Sequence, residues 1–330
     1  MPANLPPQYY ELEREYKREK DIHEKLRLAQ ELLSIMPKHK GTDKLQADMK
    51  AKISKLKAQI ASSGRKSGAR RADVLDHVEK EGAAQAVLIG PPNSGKSSLL
   101  DTLTGARPLV ADYPFTTREP LAGMMPFETI QIQLIDTPPI AEDIMENYLT
   151  SIVRQADLVL LVADVSDQHC LKAVATVLDR LAEKRVILKN REEKHDDPRF
   201  AVKKTLIIAH KYLEDEAGPI MDEFRRTYHE FAIVPTSIID DDSLDRLKKA
   251  IFKALGIIRV YTKRIGHEPD FTNPIILPEG SSIAQAALSL HKDFKRKLQF
   301  AKIWGSSKFD GQKVKNNFIL ADGDIVEFHI

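Results

Sequence analysis

One cysteine stands among 330 residues, so no internal disulfide framework can form and no cysteine-based metal cluster can assemble. That residue, Cys170, falls in a segment that reads as a helix, where a buried structural thiol is expected rather than a reactive one. No basic-then-apolar leader opens the chain: Met1-Pro2-Ala3-Asn4-Leu5-Pro6-Pro7 has neither part. Long apolar runs are missing too, and the longest near the middle, Leu158 to Ala163, is far too short to span a bilayer. A soluble cytoplasmic protein with no membrane partner is the expectation. With 42% hydrophobic residues, the chain has enough apolar side chains for two or three domains with their own cores.

Net charge is also small, at +2, but it is unevenly spread. Eleven Lys or Arg lie between Lys38 and Arg71, against only Asp43 and Asp48, so the remainder of the chain is net acidic. Such asymmetry points to a polyanion as partner of the N-terminal part, with a solvated helix face and linker as the plainer alternative. Few aromatics interleave these charges, which favours recognition of backbone and shape over base stacking.

What the chain does have is Gly90-Pro91-Pro92-Asn93-Ser94-Gly95-Lys96-Ser97, a complete GxxxxGK[ST] phosphate loop. Ala86–Ile89 before it suits a buried strand, and Ser98–Leu103 after it suits a helix, which is the setting the motif requires. Gly90 and Gly95 permit the backbone angles that turn successive N–H groups toward phosphate oxygens. The helix start adds the positive end of its dipole. Expected nucleotide contacts are Gly90, Pro92, Asn93, Ser94, Gly95, Lys96, Ser97 and Ser98, with Lys96 on the β- and γ-phosphates and the Ser97 hydroxyl on Mg²⁺.

Around this motif the chain divides into four. Residues 1–61 read as a helical hairpin, with Ile22, Leu26, Ala29, Leu33 and Met36 on one stripe and Leu45, Met49, Ile53, Leu56 and Ile60 on the other. Residues 62–82 are a basic Gly/Ser linker. Residues 83–256 alternate apolar strands (86–89, 130–135, 158–163, 205–209, 231–235) with helices such as 171–183 and 244–255. That rhythm argues for an α/β domain with a mostly parallel sheet covered on both faces. Gln131 and Gln133 alternate with Ile130, Ile132 and Leu134, so the second strand reads as an edge or half-exposed one. Residues 257–330 show short strands at 258–263, 274–277, 302–304, 318–320 and 325–330 and one helix at 282–292, a small β-grasp binding module without catalytic pairs.

Three more segments fit a GTPase. Tyr113–Thr117 falls where a switch is expected, and Thr117 can give its hydroxyl to Mg²⁺ and its N–H to the γ-phosphate. Asp136, at a strand end, is the expected Mg²⁺ carboxylate. Lys211 stands where a base-recognition loop would be.

With Ala111-Asp112-Tyr113-Pro114-Phe115-Thr116-Thr117, Ile258–Lys263 and Ile303-Trp304-Gly305, the chain resembles Obg/DRG GTPases of the translation-factor class that carry a C-terminal TGS domain, on the DRG branch. The resemblance covers nearly the whole chain. It implies a GTP/GDP-binding P-loop fold, slow hydrolysis and a role at the ribosome or on structured RNA. A protein partner reached through the TGS-like domain or the hairpin is a further expectation. Related GTPases with an asparagine at the position of Asn93 hold a K⁺ ion beside the phosphates, supplying charge that an arginine finger gives elsewhere, with an Asn93 that only braces the loop or the first switch as the plainer alternative.

The departures are specific. The second switch reads Asp136-Thr137-Pro138-Pro139 where the family has Asp-x-x-Gly, and Pro139 has no N–H to offer the γ-phosphate. Ile140 replaces a water-orienting Gln. The base motif Asn-Lys-x-Asp becomes His210-Lys211-Tyr212-Leu213, and Leu213 cannot accept from guanine, leaving Glu214 or Asp215 as substitutes. Ser237-Ile238 stand in the last base-reading motif and can present a backbone N–H. A slow GTPase is the leading reading, with Lys96 and Thr117 as its catalytic groups. A nucleotide-binding scaffold that hydrolyses nothing, and an ATPase, stay open.

Overall fold

The computed structural model describes residues 12, 28–29, 32–33, 49, 53, 78–105, 120–146, 148–191, 193–212, 214–291 and 296–329. The chain forms two compact units, Met1–Leu75 and Asp76–Ile330. In the first unit the described residues are helical, and Leu28, Ala29, Leu32, Met49 and Ile53 are buried. Met49, Ile53 and Ala29 belong to the expected stripes, whereas Leu28 and Leu32 do not. Most of the expected hairpin, and residues 62–77 of the linker, lie outside the described residues.

In the second unit, β1 (Gln85–Ile89), β2 (Leu121–Phe127), β3 (Ile130–Asp136), β4 (Leu158–Asp164), β5 (Val186–Lys189), β6 (Ala201–His210) and β7 (Ala232–Thr236) make one sheet. Its order is β2-β3-β1-β4-β6-β5, with β7 also on β6. Every pair is parallel except the hairpin β2–β3. Helices are α1 (Lys96–Thr104), α2 (Leu149–Gln155), α3 (Cys170–Glu183), α4 (Glu214–Thr227) and α5 (Asp241–Leu255).

Strand alternation divides the core between the two faces. Val87, Ile89, Val159, Leu161, Ile207 and Ala209 pack toward α2, α3 and α4. Ala86, Leu88, Leu158, Leu160, Leu206 and Ile208 pack toward α1 and α5. On α3, Cys170, Val174, Val177 and Leu181 recur at four, three and four residues and are all buried. Each large aliphatic side chain so buried contributes about 1.5–3 kcal/mol. Cys170 is the buried thiol expected, and burial pushes its pKa up, away from reactivity.

Two expectations need correction here. The strand at 130–135 is not an edge: β3 lies between β2 and β1, and Gln133 is 3% exposed. Its amide is satisfied inside, since Gln85 Nε2 donates to Gln133 Oε1 at 2.8 Å and Gln133 Nε2 donates to Glu79 O at 3.1 Å. A paired glutamine therefore imitates a solvent-facing one in the pattern.

The second correction lies in the C-terminal sheet, β11-β10-β12-β8-β9, built from β8 (Ile257–Lys263), β9 (Pro269–Pro278), β10 (Phe300–Trp304), β11 (Gln312–Val314) and β12 (Ile325–His329). Residues 318–320 form only the isolated bridge Ser282–Ile319, and Gln312–Val314 supplies the strand instead. The helix of this module is α6 (Ile283–Leu290), opened by a capping box of Ser282 and Gln285. Its Ile283, Ala286 and Ala287 pack on Val260, Ala301, Ile303 and Val326.

Candidate nucleotide-binding site

The loop after β1 turns on two glycines that no other residue could replace without a clash. At Gly90 a Cβ would lie 2.4 Å from Val162 O, and at Gly95 it would lie 2.4 Å from His210 Cδ2. Gly95 is left-handed at φ 89 and opens α1 without any side-chain cap. Asn93 is also left-handed, at φ 60, a conformation asparagine tolerates better than most.

Loop residues Pro92 to Ser98 share a cavity of about 640 Å³ with Leu121, Asp136, Thr137, Pro138, Pro139 and Lys211. Lys96 is buried, and its Nζ donates to Gly90 O at 3.3 Å and Pro91 O at 3.1 Å. Burial lowers its pKa while nearby Asp136 raises it, and burial prevails. Ser97 Oγ donates to Asp136 Oδ2 at 2.5 Å. Burial raises the pKa of Asp136 despite Ser97 and Lys96, and its Oδ1 is buried without a partner. Ser94 Oγ is likewise buried and unpartnered.

A hydroxyl beside a carboxylate with one unspent oxygen is a hard-oxygen donor set. It fits Mg²⁺, which takes one or two protein oxygens and completes its shell with phosphates and water. Thr117, the other expected ligand, lies outside the described residues.

Beyond Asp136 the chain is tied back to the loop. Thr137 Oγ1 donates to Leu88 O at 2.7 Å, and the Ile140 amide donates to Gly90 O at 3.0 Å. The Ile140 side chain is buried in the core, so it presents nothing to a water in the cavity. Pro138 and Pro139 line the cavity without an N–H.

On the base side, Lys211 is left-handed at φ 57, and its Nζ meets Asp164 Oδ2 at 2.5 Å and donates to Asn93 O at 3.3 Å. Burial of Asp164 opposes its charge, but Lys211 and Ser166 outweigh that and hold its pKa low. No motif in the sequence marks Asp164, although an acid ending a central parallel strand is where ligands of such sheets gather. In the sequence pattern His210 stands only as a lost asparagine. It is 1% exposed, its ring packs against Gly95, and its Nδ1 has no partner. Burial first, and then Lys211, lower its pKa.

Ser237 and Ile238 do not line the cavity, and the Ser237 amide donates to Ser243 Oγ at 3.0 Å. Leu213 lies outside the described residues.

Comparison with known proteins agrees with this geometry. Residues 85–192 match the family described as 50S ribosome-binding GTPase, and residues 258–330 match the TGS domain. An uncharacterized GTP-binding protein of Methanocaldococcus jannaschii is 30% identical, over 92% of this chain and 92% of that protein. Developmentally-regulated GTP-binding protein 2 of Homo sapiens is 26% identical over 93% of this chain and 98% of its own length. Ribosome-interacting GTPase 1 of Saccharomyces cerevisiae is 24% identical over 92% and 97%. With a P-loop GTPase domain followed by a TGS domain and kinship along almost its full length, the chain belongs to the DRG family of Obg-like GTP-binding proteins.

Proposed function

We propose that the protein binds GTP with Mg²⁺, hydrolyses it slowly, and acts as a regulator on the ribosome or on a structured RNA in the cytoplasm. The observation that carries the reading is one cavity in which the phosphate loop, the Ser97–Asp136 pair and Lys211 meet. Ser97 and Asp136, together with Thr117, would hold Mg²⁺, which when bound neutralises charge on the β- and γ-phosphates. Lys96 and the loop N–H groups would bind and orient the γ-phosphate for in-line attack by water. With Ile140 buried and Pro139 lacking an N–H, no side chain or amide at these two positions orients that water. Slow turnover follows.

The ribosome enters from two sides: the names of the matched family and of the yeast relative, and the basic run from Lys38 to Arg71 in this chain. Either the hairpin or the TGS domain would then be the surface for a protein partner. One observation favours a second reading, an ATPase: the Ser237 amide is engaged by Ser243, and Leu213 stands where guanine would need an acceptor.

Phosphate release from GTP and from ATP under single-turnover conditions, with and without ribosomes, tests the proposal. Slow release from GTP that rises with ribosomes is the expected result. Faster release from ATP would move the assignment to an ATPase, and none from either would leave a non-hydrolysing scaffold.

A further inference from the structure

Arg259, the third residue of β8, binds groups from both parts of the second unit. Its Nε and Nη2 donate to Asp322 Oδ1 and Oδ2 at 3.0 and 2.7 Å, and its backbone N–H donates to Asp322 Oδ1 at 2.7 Å. Those contacts stay within the TGS domain. Its Nη1 donates to Glu128 Oε2, at the tip of the β2–β3 hairpin of the GTPase sheet. The guanidinium also lies over the rings of Phe252 and Phe127, at 5.0 and 5.7 Å, and these two rings stack at 4.7 Å. Beside it, Thr129 Oγ1 and Tyr261 Oη are 2.8 Å apart. The arginine side chain is 8% exposed.

The hairpin it grips has two distinctive ends. At the tip, Glu128 and Thr129 are the two residues between the paired Phe127 and Ile130, and Glu128 is left-handed at φ 49. Glycine or asparagine adopts that conformation at less cost, so glutamate there is supported by its contact with Arg259 rather than by the turn. At the other end Leu121 pairs with Asp136, and both line the nucleotide cavity. Seven residue pairs run in unbroken register between the ends, a reach of about 20 Å at ~3.4 Å per residue.

The hairpin is also packed as one piece, with Met125, Phe127, Ile130, Ile132 and Leu134 in one core cluster with α1 and α5. β2 is an edge strand, and β3 pairs with β1 only from Gln133 to Asp136. Residues Ile130 to Ile132 project beyond β1, joined to the sheet by the Gly82–Ile132 bridge and by the Ala83 amide on Gln131 O at 2.8 Å.

We propose that Arg259 is a positioning residue for the nucleotide site. By holding Glu128 at the hairpin tip it adjusts, along the hairpin, the Asp136 that pairing with β1 places at the far end, and so couples the TGS domain to Mg²⁺-dependent nucleotide binding. The inference rests on the reading of Asp136 as the Mg²⁺ carboxylate. Coupling between two sites is reciprocal, so nucleotide must also change the tip.

The variant of choice is Glu128→Asn, which relaxes the turn and removes the Arg259–Glu128 contact while leaving Thr129–Tyr261 in place. Glu128 is 59% exposed, so the fold should survive, and a melting temperature at or above wild type shows that it has. Arg259→Lys is the second variant, and Glu193→Ala, in an exposed ion pair elsewhere, is the control. The readout is the ratio of GDP Kd in EDTA to GDP Kd in Mg²⁺, read together with hydrogen exchange at residues 127–132 and 259–261 with and without nucleotide. A ratio reduced at least threefold in the two variants, with nucleotide-dependent exchange at the tip present in wild type and absent in Glu128→Asn, is the expected outcome. Ratios within twofold of wild type in both variants, or tip exchange indifferent to nucleotide in wild type, overturn the coupling. If wild type and Asp136→Asn bind GDP alike in Mg²⁺ and in EDTA, the reading of Asp136 fails, while the exchange data still decide the link on their own.

Discussion

Ser97 Oγ and Asp136 Oδ2, 39 residues apart in the chain, meet at 2.5 Å because β1 and β3 are parallel neighbours. The phosphate loop and the acid therefore leave the same end of the sheet, which places both at one cavity. The pairing leaves Asp136 Oδ1 buried and without a partner.

That orphaned oxygen makes the ionised carboxylate a cost in the ligand-free protein. The folded pKa of Asp136 is raised above its ordinary value by burial, so this group's stabilisation is fullest below the unfolded pKa and is lost as pH rises through the folded one. Asp136→Asn keeps an acceptor for Ser97 and removes the charge. Ligand-free protein should gain about 1 kcal/mol, or roughly 2 °C in a unit of this size. Mg²⁺-dependent nucleotide affinity should fall in the same variant. Thermal melts and nucleotide titrations in EDTA and Mg²⁺ check both halves.

His210 gives a pH signature of the opposite sign. Its folded pKa lies below the ordinary 6.5, through burial and then Lys211, with Asp164 and the Thr236 backbone opposing. The unfolded chain takes up the proton first, so stability should drop as pH falls below 6.5 toward the folded value. His210→Asn removes that slope. Denaturation midpoints at a series of pH values between about 5.5 and 7.5, about one unit either side of an ordinary histidine pKa, compare the two proteins.

Hydrolysis should be faster in K⁺ than in Na⁺. Asn93 lines the cavity in a left-handed conformation, and its backbone carbonyl already accepts from Lys211 Nζ at 3.3 Å, so its side-chain amide oxygen is the group left to hold a cation. A monovalent cation held there would add positive charge beside the phosphates. Rates in KCl and NaCl for wild type and Asn93→Ala are the check, with the preference expected in wild type alone.

The basic N-terminal run should bind RNA through its phosphates. Counterion release then makes ribosome association fall steeply with salt. Removing residues 1–71 should abolish most co-sedimentation with ribosomes at low salt. Equal pelleting of the truncated and full chains at low and moderate salt would assign the contact elsewhere.

The site's phosphate half was legible because its chemistry is local: a loop of fixed spacing between a strand and a helix, and an acid ending the next strand over. What escaped was set by tertiary context. β2, Leu-Ala-Gly-Met-Met-Pro-Phe, has no β-branched residue and owes its strand to the hairpin partner β3. α4 carries Gly218 and Pro219, both breakers by propensity. Gln133 hides in the core because Gln85 faces it, and Asp164 joins the site only because β4 and β6 are adjacent, with Asp164 paired to His210. Nothing in the local sequence announces that Arg259 and Glu128, 131 residues apart, will meet.

Calorimetric titration of GTP in Mg²⁺ buffer into wild type and Lys96→Ala bears on the whole reading. Lys96 is a buried cation in the cavity wall, and a charge-assisted phosphate contact contributes about 1.5–3 kcal/mol. Wild type should bind GTP, and Lys96→Ala should bind it at least tenfold more weakly, as one lost contact of that size requires. Equal affinity in the two proteins would show that GTP does not bind at this loop, and no binding to wild type would contradict the assignment outright.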